Sequence, residues 1–119
     1  MTAPLGHFVA LLVRVVPSLK PLHDEHLQEY GELLAHVFMG DVTRWCIESH
    51  RRSMRDDASS RDLRVLLVTL EDCFAFANAD VQELISASFL ENLHQARDQY
   101  ESLKALLGPL LQDELQRVE

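Results

Sequence analysis

Ser60-Arg61-Asp62-Leu63-Arg64-Val65-Leu66-Leu67-Val68-Thr69-Leu70-Glu71-Asp72-Cys73-Phe74-Ala75-Phe76-Ala77 decides the fold class. Leu63, Leu66, Leu67, Leu70, Phe74 and Ala77 recur at three- and four-residue steps, the spacing that lines one face of an α-helix. A short Asn78-Ala79-Asp80 link follows, and Asp80 with Glu83 resembles a capping box opening a second arm through Val81, Leu84, Ile85, Ser88, Phe89 and Leu93. Residues 61 to 97 are thus predicted to form an antiparallel helical hairpin.

Working outward, the same periodicity holds nearly everywhere, and no four- to eight-residue stretch alternates strictly as a half-buried strand would. Leu5 to Val16 is apolar almost all round and is expected to be a central helix, ended by Pro17 and Pro21. A second helix is expected from about Asp24 to Phe38, with Leu27, Tyr30, Leu34, Val37 and Phe38 on its apolar face. Gly40 suits a left-handed C-terminal cap and Asp41 an N-cap, so a tight corner is expected at Met39-Gly40-Asp41. A third helix carries Val42, Trp45 and Cys46 inward and dissolves into a polar loop from Glu48 to Ser60. Beyond Asp98 a short helix bears Tyr100, Leu103, Leu106 and Leu107. Gly108-Pro109 breaks it, and Pro109 opens a last helix with Leu110, Leu111, Leu115 and Val118. The expected fold is all-α: one domain, residues 1–119, a compact bundle of five to six helices built from antiparallel hairpins.

The chain has 119 residues, enough for one ordinary core. Apolar residues make up 47% and charged residues 25%, which fits a globular protein and excludes disordered and disulfide-dense classes. The longest apolar run, Phe8 to Val13, is far short of a membrane span, and Met1 to Gly6 lacks the basic start of a signal peptide. The expectation is a cytoplasmic chain beginning at Met1, with Cys46 and Cys73 as buried free thiols.

A net charge of −8 argues against wrapping a nucleic-acid backbone. The surplus falls on two helical segments. Asp24, Glu25, Glu29 and Glu32 stand without a basic residue in 22–40, and Glu71, Asp72, Asp80, Glu83, Glu91, Asp98 and Glu101 face only Arg97 in 65–101. Such carboxylates are the ordinary solubilising device. They equally suit a docking face for a basic partner. The arginines between Arg44 and Arg64 are interleaved with Asp41, Glu48, Asp56, Asp57 and Asp62, which favours local pairing over a phosphate track.

Catalytic signatures are absent. His26 and Glu29 share a helix face, but one His-x-x-Glu segment is not a metal site of three or four converging ligands. A metal- or ligand-binding enzyme centred on His23, His26, Glu29 and His36 is the third alternative, and no cofactor is expected. Ser86 and Ser88 lie in a helical run rather than on a strained nucleophile turn. Gly6, Gly31, Gly40 and Gly108 are too scattered to cradle a phosphate.

Leu33-Leu34-Ala35-His36-Val37-Phe38-Met39-Gly40-Asp41-Val42-Thr43-Arg44-Trp45, Asp80 to Leu93 (Asp-Val-Gln-Glu-Leu-Ile-Ser-Ala-Ser-Phe-Leu-Glu-Asn-Leu) and Leu107-Gly108-Pro109-Leu110-Leu111 resemble a family of small, standalone, all-helical bacterial proteins of uncharacterised function. The resemblance runs from about Leu12 to Gln116 and implies immunity proteins encoded beside secreted polymorphic toxins. Physically, His36, Gly40, Asp41, Arg44 and Trp45 surround the expected corner, where Glu91 or Asn92 could complete a buried polar clasp. The same residues could instead bind a partner.

The expected function is that of an immunity protein, not an enzyme, that occludes a toxin domain whose cleft is basic if it acts on nucleic acid or nucleotides. Glu25, Glu29, Glu32, Glu71, Asp72 and Glu83 are the candidates to fill that cleft, with His36, Asp41 and Arg44 as further contact residues. The alternative is a helical adaptor or regulatory protein, homodimeric through an apolar patch.

Overall fold

Leucine-rich amphipathic segments separated by Gly, Pro and Asn produce an all-α fold, and the computed structural model describes residues 4–119. Its elements are α1 (Pro4–Val15), a 3-10 turn (Pro17–Leu19), α2 (Lys20–Tyr30), α3 (Ala35–Arg52), α4 (Asp57–Phe76), α5 (Ala79–Ser88), a 3-10 segment (Leu90–Gln99), α6 (Tyr100–Lys104) and α7 (Pro109–Val118). Six of these α-helices have ten or more residues and α6 has five, so the expected bundle is present. The start of the chain at Met1 lies outside the described residues. The radius of gyration, 13.5 Å, equals the value of about 13.5 Å for a compact chain of this length.

The helix corner expected at Gly40 falls nine residues earlier. Gly31 adopts φ 73°, ψ −5° and closes α2 by donating its N–H to the Leu27 carbonyl, the left-handed cap that only glycine enters without steric cost. Gly40 is buried within α3, and Asp41 caps nothing there. The predicted Asp24–Phe38 helix is therefore divided between α2 and α3, and Leu27, Tyr30 and Val37 are more than a third exposed. Pro21 does not end a helix either. It sits in the first turn of α2, where a missing N–H costs nothing.

The long polar loop is also absent. α3 continues to Arg52, and Asp56 caps α4 by accepting from the Ala58 N–H at 3.0 Å. Glu48 with Arg51 and Arg52 forms local ion pairs that make this stretch a solvent-facing helix end. Trp45, Ser49 and Arg52 lie across a cavity from Ser59 and Asp62, so α3 and α4 form the clearest helical hairpin.

α1 runs antiparallel to α4. His7, Phe8 and Leu11 lie beside Asp72, Cys73 and Phe76, while Ser18, just past α1, donates to Asp62 at 2.6 Å. α1 is less central than expected: Phe8, Val9 and Leu12 enter the core, but His7, Ala10, Arg14 and Val15 face solvent. The core joins these residues to Phe38, Met39, Val42, Leu66, Leu70, Leu84, Ile85, Phe89, Leu93 and Leu111. Between α4 and α5 the cap is Asn78, which accepts from Val81 N–H at 3.0 Å, rather than Asp80.

The second arm expected to run on through Leu93 ends as an α-helix at Ser88. The Ser88 carbonyl accepts from the Asn92 amide side chain at 2.9 Å and the Thr43 hydroxyl at 3.2 Å. The Asn92 N–H bonds Phe89 instead, at 3.2 Å. Side chains have taken the carbonyl that an α-helix would use, and the chain tightens to 3-10 geometry.

Candidate partner-binding surface

α2 is built from two kinds of residue on opposite sides. Inward, His23 meets Phe38 edge-on at 5.5 Å between ring centroids, and His26 meets Phe38 at 5.7 Å and Tyr30 at 4.8 Å. His26 is 2% exposed, and its Nε2 accepts the Leu34 N–H at 2.9 Å. That bond places the ring proton on Nδ1, which has no partner among the described residues. His26 thereby anchors the entry to α3. Glu29 faces solvent and His36 bonds Ser88, so the four residues of the metal-site alternative have separate destinations. Among the described residues no group of three or more potential ligands is suitably placed for a metal.

Outward, Glu25 and Glu29 occupy i, i+4 positions, and Glu32 follows just after the Gly31 turn. All three are exposed, and none makes an ion pair or side-chain hydrogen bond among the described residues. Asp24 differs, pairing with Lys20 at 3.3 Å. Uncompensated carboxylates one turn apart repel each other slightly, an arrangement that a cationic partner would relieve. Tyr30, 43% exposed, closes α2 on the His26 side, its ring packed toward His26 and its outer edge open to solvent, an aromatic residue of the type that anchors interfaces. The sequence pattern had assigned it to an apolar face.

A polar seam joins α3 to the end of α5. His36 Nδ1 and Ser88 Oγ are 2.5 Å apart, and the Thr43 hydroxyl donates to the Met39 carbonyl at 2.9 Å as well as to Ser88. This is the expected clasp with different members. Asn92 joins it, Glu91 stays exposed, and Asp41 pairs with Arg44 along the same helix. A histidine against a serine invites a catalytic reading. Ser88, however, is buried at the carbonyl end of α5, where the helix dipole disfavours a developing anion. The thiols are equally muted: burial raises the pKa of Cys46 and, with Asp72 nearby, of the half-buried Cys73.

The remaining carboxylates divide by role. Glu71 accepts the N–H groups of Leu110 and Leu111 at 2.9 and 3.0 Å, so α4 supplies the N-cap of α7. Its carboxylate has a structural task before any partner arrives. Asp72 and Glu83 are exposed on α4 and α5, on different elements from the α2 carboxylates. Thr43 and Glu71 were overlooked as structural polar residues. The available signal for Glu71 was Gly108-Pro109, a helix start with no capping side chain of its own.

Fold and surface define a small all-α protein in which several polar side chains hold helices together, while unpaired exposed carboxylates are spread over α2 (Glu25, Glu29), α4 (Asp57, Asp72), α5 (Asp80, Glu83) and α7 (Asp113). The chain belongs to the family described as a domain of unknown function, DUF7674, whose profile matches residues 9–119. No curated protein and no solved structure matches it. Among the described residues no single helix is long and apolar enough to cross a membrane.

Proposed function

We propose that this chain is a bacterial, cytoplasmic immunity protein that binds a cognate secreted toxin and occludes its active site by affinity alone. The observation that carries the reading is the set of unpaired carboxylates at Glu25, Glu29 and Glu32, with the partly exposed Tyr30 at the end of the same helix. Complementary potentials accelerate association with a basic cleft, and a desolvated aromatic side chain supplies much of the binding energy. His36, at the first turn of α3, and the Asp41–Arg44 pair extend the contact surface along that helix. A toxin acting on nucleic acid or nucleotides has the basic cleft this chemistry requires.

The test is co-expression with toxin-like products of the chromosomal neighbourhood, followed by pull-down with catalytically weakened forms. Growth rescue and a one-to-one complex are expected. Glu25→Lys, Glu29→Lys and Glu32→Lys together should abolish both while leaving the fold intact. Absence of rescue and of any complex with a neighbouring product would reject the reading.

A further inference from the structure

α4 is a 20-residue helix whose inner side fills the core and whose outer side is open to solvent, bordered by His7, Phe8 and Leu11 of α1 at its Asp72–Phe76 end. Arg61, Arg64, Val65, Val68, Asp72 and Phe76 are all exposed. At 3.6 residues per turn they fall within about 120° of arc, one continuous strip along the helix. Val68 is 60% exposed and Phe76 is 91% exposed. Large apolar side chains standing this far out in a row mark an interaction surface.

The charges on the strip identify the occupant. Arg61, Arg64 and Asp72 make no ion pair or side-chain hydrogen bond among the described residues. Arg64 and Asp72 lie four residues on either side of Val68, with opposite signs. We propose that α4 pairs with α4 of a second copy of this chain, antiparallel, with Val68 on the two-fold axis.

In that register each Arg64 faces Asp72 of the other copy, twice by symmetry, and the two Val68 side chains meet. Phe76 lies over the Arg61 region of the opposite helix, a geometry suited to cation–π contact. A parallel pairing would oppose Arg64 to Arg64 and Asp72 to Asp72, so charge selects the antiparallel arrangement. The net charge of −8 opposes self-association elsewhere on the surface, whereas this strip complements itself. This inference concerns the isolated chain and stands apart from the toxin-binding reading.

Sedimentation velocity and light scattering over a range of concentrations test it. The wild-type chain should pass from monomer to dimer, and Arg64→Asp should weaken the dimer about tenfold or more by setting like charges opposite each other. The double swap Arg64→Asp with Asp72→Arg should restore it, which a loss of folding or a different register would not do. In a Cys73→Ser background, Val68→Cys should cross-link the two copies under mild oxidation. Phe76→Cys should not, because the two sites lie about 24 Å apart along paired helices with a 1.5 Å rise per residue. Circular dichroism verifies that each variant stays helical. A wild-type chain that remains monomeric at every concentration, a dimer indifferent to Arg64→Asp, or no rescue by the swap would overturn the proposal.

Discussion

Replacing Glu71 by alanine removes both acceptors from the start of α7. Their partners, the N–H groups of Leu110 and Leu111, lie at 2.9 and 3.0 Å. Gly108 has no side chain to substitute and Pro109 has no N–H, so water is the only replacement. Loss of a helix N-cap costs about 1–2 kcal/mol. A chain of this length has an unfolding entropy of about 0.25 kcal/mol/K, so the melting temperature should fall by about 4–8 °C. Gly108 provides the matching test. A Cβ there would collide with Glu71 Cδ and lie 2.6 Å from Oε1. Its φ of −70° and ψ of 170° are open to alanine, so the whole cost of Gly108→Ala should arise from pushing the cap away. Gly108→Ala should therefore destabilise the wild type by about 1–2 kcal/mol and be nearly neutral beside Glu71→Ala. Urea unfolding of the four proteins closes this cycle. Additive effects, or a melting temperature unmoved by Glu71→Ala, would refute the assignment of the carboxylate to α7.

Gly40 and Gly31 should respond oppositely to alanine. Gly40→Ala should stabilise by about 0.5–1 kcal/mol, because its Cβ would meet only the Arg44 guanidinium at 3.8 Å, whereas Gly31→Ala should destabilise by about 1–2 kcal/mol through its φ of 73°. Thermal melts distinguish the two. Thr43→Val retains the shape and removes the hydroxyl shared by the Met39 and Ser88 carbonyls, and should cost about 1–2 kcal/mol in chemical unfolding. Acid should weaken the fold through three carboxyls held below their usual range: Asp56 by the Ser59 hydroxyl, Glu114 by Arg117 and Glu119 by Lys104. Because the native state binds these protons less readily than the unfolded chain, their stabilisation is complete above about pH 4.5 and falls away as the pH drops further. Urea midpoints measured from pH 6 to pH 3 should show that decline. Tyr100 has the opposite sign: burial, helped by the Glu119 carboxylate, pushes its phenol up to about 12. Its contribution is complete below about pH 10 and lost as the pH rises toward 12, which absorbance titration of the phenol follows alongside unfolding.

Much of the secondary structure was legible because periodicity is a local property. Leu63, Leu66, Leu67 and Leu70 sit on the buried side of α4, and Pro109 opens α7 as its chemistry dictates. The corner was misplaced because Gly31 and Gly40 are equivalent in sequence. A glycine caps or continues a helix according to where the chain beyond it is held, and here His26 draws the Leu34 N–H into the start of α3. The loop expected at 48–60 was a matter of composition, since charged residues at i, i+3 and i+4 suit an exposed helix as well as a loop. Of the candidate surface, the carboxylates of α2 were legible as unpaired charge, but Tyr30 was not legible as exposed. Its exposure follows from the end of α2 at Gly31.

By itself the sequence determined the all-α class, the single core and the acidic imbalance, because each depends on side chains summed or spaced along a few turns. Tertiary structure decided which polar residues are occupied. Glu71 is committed to α7, Ser88 to Thr43 and His36, and His26 to Leu34. These partners stand between 8 and 52 positions apart, and a hydrogen bond formed across such a span depends on how helices pack rather than on residue spacing. Glu25, Glu29, Glu32 and the outer strip of α4 emerge as free surface only after those commitments are known.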